Sequence, residues 1–251
     1  MNKLVVAGNW KMHGDRAFVA DFAARLRAEL RDRPVSTELM IFPPAGFLSH
    51  ASDAFAGLAG VGAQNLHAAA SGAFTGELSV AMACDLGATL ALVGHSERRS
   101  LFHETDADCA AKVGAASTAG LQPVLCVGET LDERRGGQAR ERVLAQLDAV
   151  LSVEGTAWLE SGGLIAYEPV WAIGTGETAT PEQAQEMHAV IRQRLAEAMG
   201  EGAAGVRLLY GGSVGPDTAA ALFAQPDVDG GLVGGASLSV EKFVAIARAV
   251  G

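Results

Sequence analysis

Eight short, almost continuously apolar runs recur along the chain, at residues 4–7, 39–42, 60–63, 89–93, 123–127, 164–167, 206–210 and 230–233. None alternates apolar with polar, as a strand with one wet face would. The pattern fits strands buried on both sides. Between the runs the period changes to that of helices. Phe18, Phe22, Leu26 and Leu30 form a stripe at a spacing of four, with Asp15 placed as N-cap. Thr180-Pro181-Glu182-Gln183 reads as a capping box with proline at the first helical position, leading into Ala184, Met187, His188, Ile191 and Leu195, and Gly200 closes that helix. Ser239 opens a last helix whose inner face carries Phe243, Val244, Ala247 and Val250.

Strand and helix alternating about eight times predict a parallel sheet with helical crossovers. At 251 residues the expected fold is α/β, a closed parallel eight-stranded (β/α)8 barrel with outer helices, residues 1–251 forming one domain. A doubly wound open sheet is the rival. The barrel is favoured because no Gly-x-Gly-x-x-Gly follows the first run and no linker interrupts the composition. Gly136-Gly137 lies in a charged helical region and reads as a local helix break.

Composition narrows the partners. Hydrophobic residues are 49% and charged residues 19%, ample for a core and unlike a disordered chain. A net charge of −10 argues against nucleic acid or an anionic membrane as partner, so an anionic ligand would have to be held by local donors. Cys84, Cys109 and Cys126 are sparse and lack metal-ligand spacing, which suits a reducing cytoplasm. The first apolar run is too short for a signal peptide, and no run is long enough to span a bilayer.

In such a barrel the chemistry gathers where strands enter the following loops. Those positions supply Asn9 and Lys11, Gln64-Asn65, His95, Glu129, Glu168, Gly211-Gly212-Ser213 and Gly234-Gly235. Each has an ordinary alternative, as solvated lysine, satisfied histidine or turn glycine, and their convergence on one face is what gives them weight. Glycine-rich turns after the last two strands are where barrels hold phosphate, through backbone N–H groups at Ser213, Gly234 and Gly235 and a short helix starting near Ala236. After Glu168 comes Pro169, then Val170-Trp171-Ala172-Ile173 and the glycines Gly174 and Gly176. So apolar a loop either closes as a lid, where Gly174 would add an N–H, or packs permanently on the body of the domain. A carboxylate at its base suits a general base, with His95 and Lys11 stabilising developing enediolate oxygens. The helix start expected after His95 favours neutral imidazole.

Taken together, Ala7-Gly8-Asn9-Trp10-Lys11-Met12, Gly62-Ala63-Gln64-Asn65, Gly72-Ala73-Phe74-Thr75-Gly76-Glu77, Gly94-His95-Ser96-Glu97-Arg98-Arg99, the Glu168 loop, Tyr210-Gly211-Gly212-Ser213-Val214 and Leu232-Val233-Gly234-Gly235-Ala236-Ser237-Leu238 resemble triosephosphate isomerases from the first strand to the last. That family is itself the standard example of a neutral catalytic histidine, so this role is here an implication of the resemblance. The resemblance implies interconversion of dihydroxyacetone phosphate and glyceraldehyde 3-phosphate, in glycolysis and gluconeogenesis, without cofactor or metal. It carries catalytic roles onto Lys11, His95 and Glu168 and substrate binding onto Asn9, Lys11, Gly174, Ser213, Gly234 and Gly235. Glu97 becomes a supporting acid and Cys126 a packing residue. A homodimer is also implied, with the 72–77 loop reaching into the partner and Thr75 approaching the partner's site. His13-Gly14 and Leu66-His67 depart from the family's usual residues, the second pair near the implied dimer loop. Two other readings remain, an inactive barrel that binds a phosphorylated ligand and a different phosphate-binding barrel enzyme. The survival of base, electrophile and lysine together speaks against the first, and the Glu168 loop with the His95 segment speaks against the second.

Overall fold

A computed structural model describes residues 2–173 and 178–249 of the chain. Its centre is a closed barrel in which eight parallel strands pair in sequence order, the last with the first. The strands are β1 (Val5–Asn9), β2 (Glu38–Phe42), β3 (Gly60–Ala63), β4 (Leu90–Val93), β5 (Gln122–Val127), β6 (Leu164–Tyr167), β7 (Arg207–Tyr210) and β8 (Gly230–Val233). All eight coincide with the apolar runs to within one or two residues. The largest difference is at β1, which continues through Asn9, so this residue is the end of the strand and not the start of the loop.

Why the runs are continuously apolar is now plain: alternate side chains enter two separate cores. Val5, Ala7, Met40, Phe42, Leu90, Leu92, Val124, Cys126, Leu164, Ala166, Leu209 and Leu232 fill the barrel interior as one cluster. Their neighbours, such as Val6, Ile41, Val93, Leu125, Ile165 and Leu208, pack outward against the helices. Strand pleating makes the two sets alternate at every step. Interior filling is tight enough to exclude side chains: a Cβ on Gly62 would lie 2.3 Å from the Phe42 ring, which occupies that space.

The local helix signals hold. Asp15 accepts the Phe18 N–H and opens Arg16–Asp32, while Thr180 and Gln183 form the expected capping box at the head of Pro181–Met199. Gly200 ends that helix at φ 63°, a conformation glycine adopts without strain. Ser239 caps Val240–Arg248, which buries Phe243, Val244 and Ala247; Val250 lies outside the described residues. Gly136 and Gly137 separate Leu131–Arg135 from Ala139–Glu154, as a local break should. Among the described residues, no helix is long and apolar enough to cross a membrane.

One outer-layer contact makes the fold sensitive to acid. His188 is fully buried between Tyr167 and Tyr210, with Nδ1 2.9 Å from the Asp227 carbonyl and no partner at Nε2 among the described residues. Burial pushes its pKa down to about 4 from 6.5, against a smaller opposing pull from the Asp227 carbonyl. In the unfolded chain His188 takes its proton near pH 6.5, whereas the folded protein refuses it until about pH 4. The contribution of His188 to stability is therefore constant above pH 6.5 and is lost as pH falls through that window. Between pH 7.5 and 4.5 the loss amounts to roughly 2.5 kcal/mol. Urea unfolding of the wild type and His188→Gln at both pH values checks this. The variant's deficit at pH 7.5 is expected to shrink by about that amount at pH 4.5.

Candidate active site

Strand pleating delivers the site. Asn9 follows Val5 and Ala7 on the inward parity, Glu168 follows Leu164 and Ala166, Gly211 follows Leu209, and Gly234 follows Leu232. These positions rise from the filled interior into a cavity of about 440 Å³ at the carboxyl ends of the strands. Asn9, Lys11, His95, Glu168, Ser213, Gly234 and Gly235 all line it. Residues from five strand ends thus meet in one place.

Glu168 and His95 are buried and adjacent, with His95 Nε2 3.0 Å from Glu168 Oε1. The other carboxylate oxygen accepts the Ser96 backbone N–H at 2.8 Å, and the Ser96 hydroxyl lies 3.4 Å from Oε1. His95 is the N-cap of Ser96–Leu101, and its Nδ1 accepts the Glu97 N–H at 3.2 Å. A ring nitrogen that accepts carries no proton, so the hydrogen sits on Nε2, facing Glu168 and the cavity. The imidazole is a neutral donor, and the turn that places it also sets its tautomer.

Lys11 has φ 50°, in the left-handed region that residues with a Cβ seldom adopt. Two side chains hold the backbone there. Asn9 Oδ1 accepts the Lys11 N–H at 3.0 Å, and Gln64 Nε2 donates to the Lys11 carbonyl at 2.8 Å. The ammonium meets Glu97 Oε1 at 2.5 Å, so Glu97 joins the site through Lys11 rather than by lining the cavity. Cys126 lies below, fully buried; burial first, and then the Glu168 charge, push its thiol well up, so it packs as a neutral group.

The glycine turns offer space. Among the described residues, a Cβ on Gly234 would meet only Lys11 Cε at 3.6 Å, and one on Gly235 would meet nothing within 4 Å. Packing among the described residues does not demand glycine at these two positions, which line the cavity. A short 3₁₀ turn, Gly235–Leu238, begins at this point, close to the expected helix start near Ala236. Gly128 is the opposite case. Its Cβ would fall 1.8 Å from the Glu168 carbonyl oxygen, so the ends of β5 and β6 touch through backbone.

Glu129, one of the strand-end candidates, lies outside the cavity and beneath the loop that follows Glu168. One of its oxygens, Oε1, accepts from Tyr167 Oη at 3.1 Å, Trp171 Nε1 at 2.8 Å and Arg134 Nη1 at 3.3 Å. Arg134 also stacks on the Trp171 ring, 4.8 Å from its centroid. Ile173 reaches the cavity, and the Ser213 hydroxyl donates to the Ala172 carbonyl at 2.8 Å, tying the loop base to the seventh-strand turn. Gly174 lies outside the described residues. Thr75 is exposed and does not line its own chain's cavity. Ser96 and Gln64 hold Glu168 and Lys11, roles the sequence reading did not assign. Ser96 has a signal in its place beside His95 at a helix start; Gln64 has only its position at a strand end.

Fold and cavity together define a (β/α)8 barrel with a polar cavity at the carboxyl ends of its strands. The sequence profile of the family described as triosephosphate isomerase matches residues 4–250. Proteins named triosephosphate isomerase from Xanthomonas euvesicatoria and Thiobacillus denitrificans are each 52% identical over 250 residues, covering 99% of this chain and 98% and 99% of theirs. One of the same name from Alcanivorax borkumensis is 49% identical over 245 residues, covering 98% of this chain and 97% of its own. The chain belongs to the triosephosphate isomerase family.

The two kinds of glycine should respond oppositely to alanine. Gly235→Ala is expected to fold normally, because a Cβ there meets no described atom within 4 Å, and to raise KM about tenfold if its methyl takes cavity space that a bound ligand needs. Gly128→Ala must push β5 and β6 apart, so a fall in kcat and in melting temperature is expected, with KM less affected. Steady-state kinetics and thermal unfolding of the two variants check both.

Proposed function

We propose that this chain interconverts dihydroxyacetone phosphate and glyceraldehyde 3-phosphate with Glu168 as base, His95 as electrophile and Lys11 as cation. The observation that carries these roles is the neutral His95 Nε2–H beside the Glu168 carboxylate in one cavity with the Lys11 ammonium. Substrate takes the place of the Ser96 and His95 contacts at Glu168, which then removes a proton from the carbon next to the carbonyl. His95 Nε2–H and Lys11 stabilise the oxygen charge that develops, already oriented and sheltered from water. Asn9 contacts substrate from the strand end. Ser213, Gly234 and Gly235 take the phosphate on their N–H groups, which explains how a chain of net charge −10 binds an anion.

The loop after Glu168 acts in this reading as a lid, hinged over Glu129. Support comes from Ile173 at the cavity wall and from the Ser213–Ala172 contact. The chain works as a single barrel domain in the cytoplasm, within glycolysis and gluconeogenesis. Shortening Glu168 to Asp withdraws the carboxylate by about a bond length, and kcat should fall about a hundredfold. A coupled assay with glyceraldehyde 3-phosphate measures it, and a variant of near-normal turnover would remove Glu168 from the role of base.

The working unit in this reading is a homodimer. Residues 70–77 are exposed, and Gly72 and Gly76 turn the loop at φ 143° and 94°. Phe74 stacks on His67 with centroids 3.9 Å apart, while Phe74, Met82 and Phe102 leave apolar surface uncovered in the single chain. Shortening the 72–77 loop should yield folded monomers of low activity, since Thr75 then no longer supports the partner's Lys11 and His95. Sedimentation together with activity at matched dilution tests this; fully active monomers would refute it.

A further inference from the structure

Arg99 lies outside the cavity, yet its guanidinium joins two strand ends that frame the site. Nε donates to the Gly94 carbonyl at 2.7 Å and Nη2 to the Cys126 carbonyl at 3.2 Å. Nη1 meets Asp106 Oδ1 at 2.5 Å, and the side chain is only 13% exposed. The β4–β5 register runs from Leu90↔Gln122 to Val93↔Leu125 and stops there. Just beyond, Gly94 leaves the strand at φ 73° to begin the turn that makes His95 an N-cap. Arg99 continues the seam by side chain, one residue past the last paired position. A Cβ on Gly94 would lie 2.7 Å from Arg99 Nη2 and 2.7 Å from Cys109 Sγ, so glycine is required for the guanidinium to come this close.

Asp106 keeps the fork aimed. It also accepts from Arg142 Nη1 at 3.3 Å, and Arg142 Nε lies 3.5 Å from Glu133, which caps the helix carrying Arg134. Charges of alternating sign therefore run from the backbone just before His95 to the helix beneath Trp171. A planar, always-charged fork with fixed donor directions suits the bridging of two carbonyls, whereas a lysine can satisfy only one of them in the same place.

We propose that Arg99 is a positioning residue for the isomerisation, fixing the backbone turn that aims His95 Nε2–H at the substrate carbonyl. This rests on the reading of His95 as electrophile. A donor misplaced by about 1 Å can cost on the order of a hundredfold in rate. The turns assigned above to phosphate follow β7 and β8, across the barrel from this seam.

The test uses the full-length enzyme with Arg99→Met and Arg99→Lys. Loss of the fork should lower kcat about ten- to a hundredfold, leave KM within about threefold, and move the infrared carbonyl stretch of bound dihydroxyacetone phosphate toward its value in water. Arg99→Lys, which keeps the Asp106 pair and one carbonyl contact, should fall between Met and wild type in both kcat and stretch. A merely structural role lowers the melting temperature without touching the polarisation of bound carbonyl. A kcat loss at an unshifted stretch, or a wild-type kcat, overturns the proposal. If Arg99→Met does not fold, the Lys variant is judged by the same two readouts. His95→Gln serves as control: an unchanged rate and stretch there overturn the electrophile reading itself, and this proposal with it.

Discussion

Everything in this molecule depends on closing a parallel sheet upon itself. Closure removes the unpaired edge and makes each strand's pleat run in step with its neighbours. The same parity that sends Val5, Ala166 and Leu232 into a dry interior then sends Asn9, Glu168 and Gly234 into one mouth. Gly62 beneath the Phe42 ring shows how full that interior is. A slip of one residue in any strand would turn its interior and site residues alike out toward the helices.

On this scaffold the electrostatics are local. The chain is acidic overall, yet the mouth gathers Lys11, His95 and the turns at Ser213 and Gly234-Gly235. Charge is balanced at close range: Lys11 by Glu97, Arg99 by Asp106, Arg134 by Glu129. Buried or half-buried pairs of this kind gain little net stability against desolvation. Their value is direction, because each orients a group that faces substrate or the loop above it.

How far the sequence could be read depended on how local each interaction is. Asp15, Thr180 and Ser239 act within three residues of themselves, and their caps stand where the pattern put them. The strands were legible because burial on both faces leaves a continuous apolar run. Chemical groups at strand ends were legible once the barrel was assumed. The strained backbone of Lys11 was not, since it is held by Gln64, 53 residues away. Nor was the position of Glu129, whose partner Tyr167 lies 38 residues on. Periodicity contains no term for such contacts; they come from the order of strands around the barrel.

The placement of indoles gives the protein an optical reporter. Of its three tryptophans, Trp10 and Trp158 are sealed in the body of the domain, at 0% and 2% exposure. Trp171 alone stands at the base of the loop over the site, its ring against the Arg134 cation and its N–H on a carboxylate. Movement of that loop changes the field and the solvent around one indole while the other two keep fixed surroundings. Any movement of that loop would therefore register as a change in one indole against the steady emission of two, in the unmodified chain.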